Sequence, residues 1–314
     1  MEKDARSILT VGAELGEGPV WSPRDSCLWF VDIKAPCVYR HDPATGALDR
    51  WDAPDHVGWI LPADDGYWVA GLATGVHRFD PADGSFTLLN AVEDDLPRNR
   101  LNDAAIDPAG RIWFGTMDND EANATGRFYR WQAGVVTPAP VAPIVITNGP
   151  AIAPDGRTAY LVDTLGLSID AHPIDADGVI GEGRRFLTFD GQTGYPDGAI
   201  CDAEGGVWVG FYGGWAARRF APDGSMTAEV RFPVANITKI ALGGEDGKTA
   251  YATTARQGLS ADALADQPLA GNVFVPCRRG RRTGDAGAPR HLNDEYPPHE
   301  YSAPSERVPS GRKP

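Results

Sequence analysis

The chain has 314 residues, 42% of them hydrophobic, enough to bury a large core and to exclude wholesale disorder. Lys and Arg number 29 against 43 Asp and Glu, so the formal net charge is −14, and an acidic surface of that size argues against a nucleic-acid partner. The start, Met1 to Arg6, lacks the apolar run of a secretory leader, and no stretch approaches the roughly 18 apolar residues of a membrane span, which predicts a cytoplasmic protein with no membrane partner.

From the N-terminus, Ser7 to Val11 reads as a strand with no hairpin of its own. One apolar strand pattern then recurs six times: Leu28 to Asp32, Tyr67 to Gly71, Ile112 to Thr116, Ala159 to Asp163, Val207 to Phe211 and Ala250 to Thr254. An aromatic residue is second in each (Trp29, Trp68, Trp113, Tyr160, Trp208 and Tyr251), at intervals of 39, 45, 47, 48 and 43 residues. Intervals of roughly 40–50 residues are the range of propeller blades. Turns precede these strands, as in Asp64-Asp65-Gly66, Pro108-Ala109-Gly110, Pro154-Asp155-Gly156 and Ala203-Glu204-Gly205, where Gly supplies positive φ and Asp or Pro starts the turn. A third strand follows each, such as Val38 to Arg40, Val76 to Phe79 and Asn272 to Val275. Only Ser260 to Leu269 suggests helix, one or two turns capped by Ser260 and stopped at Pro268. Beyond Cys277 the chain turns basic and Pro-rich, and residues 278–314 are expected to be a disordered tail. Cys27, Cys37, Cys201 and Cys277 form no CxxC pair and read as free thiols, with Cys27 and Cys37 able to face each other across a hairpin.

The unit is therefore an antiparallel meander of about four strands, and such units bury both faces by standing radially against one another. The expected fold is all-β: a six-bladed β-propeller of four-stranded antiparallel blades over residues 1–277, its ring closed by the N-terminal strand.

In such a ring the first strand of each blade lines a central channel. Counting eight residues back from the turn glycines Gly110, Gly156 and Gly205 reaches Asn102, Asn148 and Asp197, and the same count from Asp25 reaches Glu17. The count from Gly66 reaches Gly58, which carries no side chain. Any one of these alone reads as a turn residue, since Asn-Gly and Asp-Gly are common in hairpins. Four oxygen-bearing side chains at one level of a repeat instead suggest a cation site, because crowded carboxylates without a counter-charge repel. Oxygen donors favour Ca²⁺, Mg²⁺ or Mn²⁺. Glu17, Asn148 and Asp197 each precede glycine, which would leave room for a ligand.

At these residues the sequence resembles the gluconolactonase/regucalcin (senescence marker protein 30-like) family. The resemblance rests on Leu15 to Trp21, Arg100 to Asp103, Arg111 to Met117, Thr147 to Pro150 and Tyr195 to Gly198, and covers residues 7–277. Thr253 to Leu259 and Pro268 to Gly271 look most like bacterial sugar-acid lactonases, including xylonolactonases. The resemblance implies hydrolysis of a sugar lactone to the aldonic acid. It implies one divalent ion, with Zn²⁺ and Fe²⁺ also open, held by Glu17, Asn148 and Asp197. It implies substrate contacts from Arg100, Asn102 and, in place of a family Glu, Asp120, with residues 118–125 as a mobile loop over the channel. Family members continue with an apolar strand where this chain turns Arg-rich after Cys277, which points to a divergent end.

Opening a cyclic ester needs a polarised carbonyl and an activated water, and a divalent ion serves both. Asp197 is the expected general base, and Arg100 the expected partner of lactone oxygens; an ion pair of Arg100 with Glu93, Asp94 or Asp95 is the alternative for that residue. No Gly-x-Ser-x-Gly elbow is present, and the six histidines share no register. The competing functions are a non-enzymatic Ca²⁺-binding propeller, a hydrolase of other esters or phosphotriesters, and a protein-interaction propeller. A monomer or weak oligomer is expected.

Overall fold

Each repeat folds into the same four-stranded antiparallel meander, and six of these make up the described chain. The computed structural model describes residues 4–63 and 66–277. The expected turn at Asp64 and Asp65 and the expected tail 278–314 lie outside the described residues. The innermost strands are Gly16–Ser22, Val57–Pro62, Asn99–Ile106, Thr147–Ile152, Tyr195–Cys201 and Ile237–Gly243, defining blades one to six.

Burial falls from the axis outward. In blade one the two inner strands are wholly buried, whereas the outermost, Leu48–Asp52, is mostly exposed. The sequence pattern follows from this. Strands covered on both faces are near-continuously apolar, like Cys27–Asp32, and the outermost ones are mixed. Apolar clusters lie between neighbouring blades: Trp29 of blade one meets Trp68 of blade two with ring centroids 4.2 Å apart.

In three blades the recurring tryptophan has a second task. In blade three the Trp113 indole donates to Asp107 at 2.8 Å, and Arg111 donates to the same oxygen at 2.6 Å. Blade five repeats this with Trp208, Asp202 and Arg219, and blade one with Trp29, Asp25 and Arg40. A turn carboxylate is thus satisfied by an indole and a guanidinium, which a buried charge requires.

The sixth blade is built from both ends of the described chain. Ala5–Leu9 pairs with Val273–Pro276, with Ala5 opposite Pro276 and Ser7 opposite Phe274. This is the closure expected from the sequence, two residues earlier than the apolar run Ser7 to Val11 suggested. The short helix is Ala261–Asp266, capped by Ser260, whose hydroxyl accepts from the Ala263 N–H at 3.2 Å. Cys27 and Cys37 do not face each other: Cys27 pairs with Ser22 and Cys37 with Asp32, at opposite ends of one hairpin. Cys27, Cys37, Cys201 and Cys277 form no disulfide among the described residues.

One irregularity recurs in every blade. Each innermost strand carries a bulge against its neighbour, between Glu17 and Val20, Val57 and Trp59, Leu101 and Ala104, Asn148 and Ala151, Pro196 and Ala199, and Ile237 and Ile240. A bulge re-aims side chains. Six at one level of a ring make a collar around the axis.

Candidate active site at the mouth of the channel

The collar is where the counted residues sit. Glu17, Asn102, Asn148 and Asp197 all occur at bulges and are all buried, Glu17 being 4% and Asp197 7% exposed. In blade two the position is Gly58, and a Cβ there would stand 2.5 Å from the Leu101 carbonyl oxygen, so this glycine lets blades two and three approach. The glycines that follow Glu17 and Asp197 serve packing too. A Cβ on Gly198 would lie 2.7 Å from the Lys239 side chain, and one on Gly18 would lie 3.1 Å from the Trp59 backbone.

Burial opposes ionisation of both carboxyl groups. Glu17 is pushed up to about 8 by burial first and by the nearby Asp103 second, against the Gly18 N–H and the Lys239 ammonium. Asp197 is raised well above the usual carboxylate range by burial, then by Glu17 and Asp103. A bound divalent cation would remove this conflict. Between the unfolded value of 4.5 and the folded value of about 8, native Glu17 holds a proton that the unfolded chain has lost. Metal-free stability therefore falls as pH rises through that window. The gain in melting temperature on adding Ca²⁺ or Mn²⁺ should accordingly grow from pH 5 to pH 8, as scanning calorimetry would show; a gain independent of pH would contradict it.

Asn148 is oriented by a residue that the sequence gave no reason to select. The Thr164 hydroxyl donates to the Pro196 carbonyl at 2.8 Å, so it must accept from Asn148 Nδ2, which lies 2.9 Å away. That fixes the amide oxygen toward Asn102, whose Nδ2 lies 3.2 Å from it. Among the described residues no three His, Cys, Asp or Glu side chains are grouped to hold an ion by themselves, so a ligand set here needs the amide oxygen. Thr164→Val should weaken divalent-ion affinity about tenfold by calorimetric titration, the usual scale for losing a group that orients a ligand.

Arg100 is buried and is not paired with Glu93, Asp94 or Asp95. It donates to Asn102 Oδ1 at 2.6 Å, to the Leu101 carbonyl at 3.2 Å and to Asn119 Oδ1 at 3.2 Å. Burial lowers it to about 10, which leaves it charged at neutral pH. Among the described residues its second terminal nitrogen meets no acceptor, so two N–H groups remain for a ligand. Asn102 donates to the Thr147 carbonyl at 2.6 Å and thereby ties blade three to blade four. The side chain that reaches Arg100 from the following loop is Asn119; Asp120 is exposed and gives its backbone N–H to Asp118. Asp118 also binds Asn123, and Thr125 bonds Asn99, so the loop is stitched to the blade at both ends.

Two further charges close the bottom of the cup. Lys239 of blade six reaches across the axis to Asp103 of blade three, Nζ to Oδ1 2.5 Å, with Asp103 1% and Lys239 4% exposed. Asp103 also accepts from the Gly149 N–H at 3.0 Å. Beyond this strut the bore continues as a cavity of about 400 Å³ lined by Val20, Ile60, Ile106, Ile152 and Leu242. Sequence counting stopped one residue short of Asp103, and the same count of eight from Gly247 in the sixth repeat would have reached Lys239.

A six-bladed ring with a cup of two carboxylates, amides and one guanidinium at its mouth defines a class of propellers with a small polar site on the axis. Residues 15–256 match the SMP-30/Gluconolactonase/LRE-like region, and the chain belongs to that family. It is 38% identical to L-arabinolactonase of Azospirillum brasilense, over 88% of this chain and 93% of that protein. It is 32% identical to 6-deoxy-6-sulfogluconolactonase of Pseudomonas putida, over 88% and 95%. Among solved structures it resembles the calcium-binding protein regucalcin of Agrobacterium tumefaciens, with TM-score 0.84 and 31% identity, covering 87% of this chain and 92% of that one. No helix among the described residues is long and apolar enough to cross a membrane.

Proposed function

We propose that this protein hydrolyses a sugar lactone to its aldonic acid with the help of one divalent ion in the cup. The observation that carries the reading is the pair of buried acid groups Glu17 and Asp197 at one level of the collar, both held from ionising by burial, with an oriented amide oxygen from Asn148. Relatives named for lactonase activity over nearly their whole length support the reaction class. Glu17, Asn148 and Asp197 would hold the ion, and their oxygen donors fit a hard cation. Such an ion, when bound, polarises a carbonyl and makes water more acidic.

The chain's own groups do the rest. Asp197 accepts the proton of the attacking water, a role suited to a carboxylate whose basicity burial has raised. The free N–H pair of Arg100 donates to the lactone carbonyl oxygen and stabilises the charge that grows there. Asn102 holds the guanidinium in register from below. The buried cup limits competing water once a lactone fills it.

Chelator-stripped protein should release no acid from arabinono-, xylono- or gluconolactone above the spontaneous rate. Returning Ca²⁺, Mg²⁺, Mn²⁺, Zn²⁺ or Fe²⁺ singly should restore turnover with at least one of them. Turnover that survives stripping would overturn the metal assignment, and absence of turnover with every ion and lactone would overturn the reaction.

A further inference from the structure

Three basic side chains line one side of the cup. Lys34 lies in the loop after Cys27–Asp32 of blade one, His56 leads into blade two, and Arg100 belongs to blade three. Lys34 reaches past blade two, where the collar has only Gly58, and donates to Asn119 Oδ1 at 2.7 Å. Arg100 Nε donates to the same oxygen at 3.2 Å. Two cations are thus drawn onto one neutral atom. Lys34 is lowered by burial first and by Arg100 second, and both Lys34 and Arg100 act against a charge on His56.

Elsewhere in this acidic protein the buried guanidinium groups of Arg111, Arg218 and Arg219 are each paired with a carboxylate. Among the described residues no carboxylate accepts a hydrogen bond from the Lys34 ammonium or the Arg100 guanidinium. Asp120 and Glu121 lie near enough to favour the ammonium, yet neither bonds it. A half-buried cation left without a carboxylate partner costs free energy that a bound anion recovers, and a site so built discriminates against neutral ligands.

Resting on the lactonase reading, we infer that the lactone taken by this site carries an anionic group (sulfonate, carboxylate or phosphate) on its carbon chain away from the carbonyl, and that Lys34 is the specificity-determining residue that receives it. Arg100 faces the carbonyl with its free N–H pair, and the Lys34 ammonium has two N–H groups left for the distal anion. Asn119 is the positioning residue that holds both.

The test compares kcat/KM for gluconolactone with that for counterparts bearing phosphate, sulfonate or carboxylate on the terminal carbon, using metal-loaded enzyme at low salt. At least one anionic lactone should be preferred over the neutral one by about tenfold, the scale of one charge-assisted contact. Lys34→Gln should cut that ratio about tenfold, Lys34→Arg should restore most of it, and Lys248→Gln on an exposed turn should leave it unchanged. Raising the salt should compress the ratio in the wild type and not in Lys34→Gln. A purely structural role for Lys34 would lower both substrates alike and leave the ratio in place, which overturns the inference. A wild-type ratio near one for all three anions overturns it as well while leaving the lactonase reading standing. If neither neutral nor anionic lactones are opened, both fall together.

Discussion

Asp197→Asn should lower kcat about a thousandfold while raising the melting temperature of the metal-free protein. The amide keeps the shape and the neighbours of the carboxylate, so the collar is preserved. It cannot take a proton from water, and loss of a general base costs about two to four orders of magnitude. It also removes an acid group whose ionisation the metal-free fold opposes. Ionised Asp197 is disfavoured by burial, by Glu17 and by Asp103, so a neutral side chain relieves the folded state in chelator at neutral pH. Activity and stability therefore move in opposite directions, as expected where a fold carries strain for function. A rate within tenfold of wild type would remove Asp197 as the base. A fall in metal-free melting temperature would show that its charge is compensated by groups beyond Lys239.

Lys239→Met should destabilise the protein by about 3 kcal/mol at pH 7, the usual scale for breaking a buried ion pair from one side. Met keeps an aliphatic stem over Gly198, so packing is largely retained. What is lost is the cation shared by Asp103, Glu17 and Asp197, each of which it favours in the ionised form. Asp103 would keep its N–H contacts from Ala104 and Gly149 but stand uncompensated. Adding Asp103→Asn to Lys239→Met should recover much of the loss, and acid should narrow the gap between Lys239→Met and wild type as Asp103 protonates. Urea unfolding of the four variants in the cycle measures this. A single-variant loss below about 1 kcal/mol would mean that solvent reaches the strut.

Most of the architecture was legible because a ring repeats itself. Trp29, Trp113 and Trp208 mark the same strand position since each must reach a turn carboxylate, and so they recur in register. The collar residues Glu17, Asn102, Asn148 and Asp197 were found by counting from the turns, for the same reason. Asp103 lies one residue beyond the counted level, where three other blades carry Gly18, Gly149 or Gly198, and Lys239 follows from Gly247 only, in a Gly243-Gly244-Glu245-Asp246-Gly247 stretch that marks no single starting point. Lys34, Asn119 and Thr164 lie in loops, where no periodicity exists to mark them. Asp120 was taken from a family pattern, and the fold turns its neighbour Asn119 inward instead.

The pairing of Ala5 with Pro276 and of Arg6 with Val275 sets the order of events on the ribosome. Of the described strands, Ala5–Leu9 is made before the others and its partner Val273–Pro276 after them, so it must wait, unpaired, while five blades are made. Blades one to five can form as they appear, since each is a local meander. The annulus locks only once residues 273–277 are available, the last of which, Cys277, gives its N–H to the Asp4 carbonyl. Removing Ala5–Leu9 or Val273–Pro276 should therefore slow or prevent that final step while leaving the residues of the cup in place.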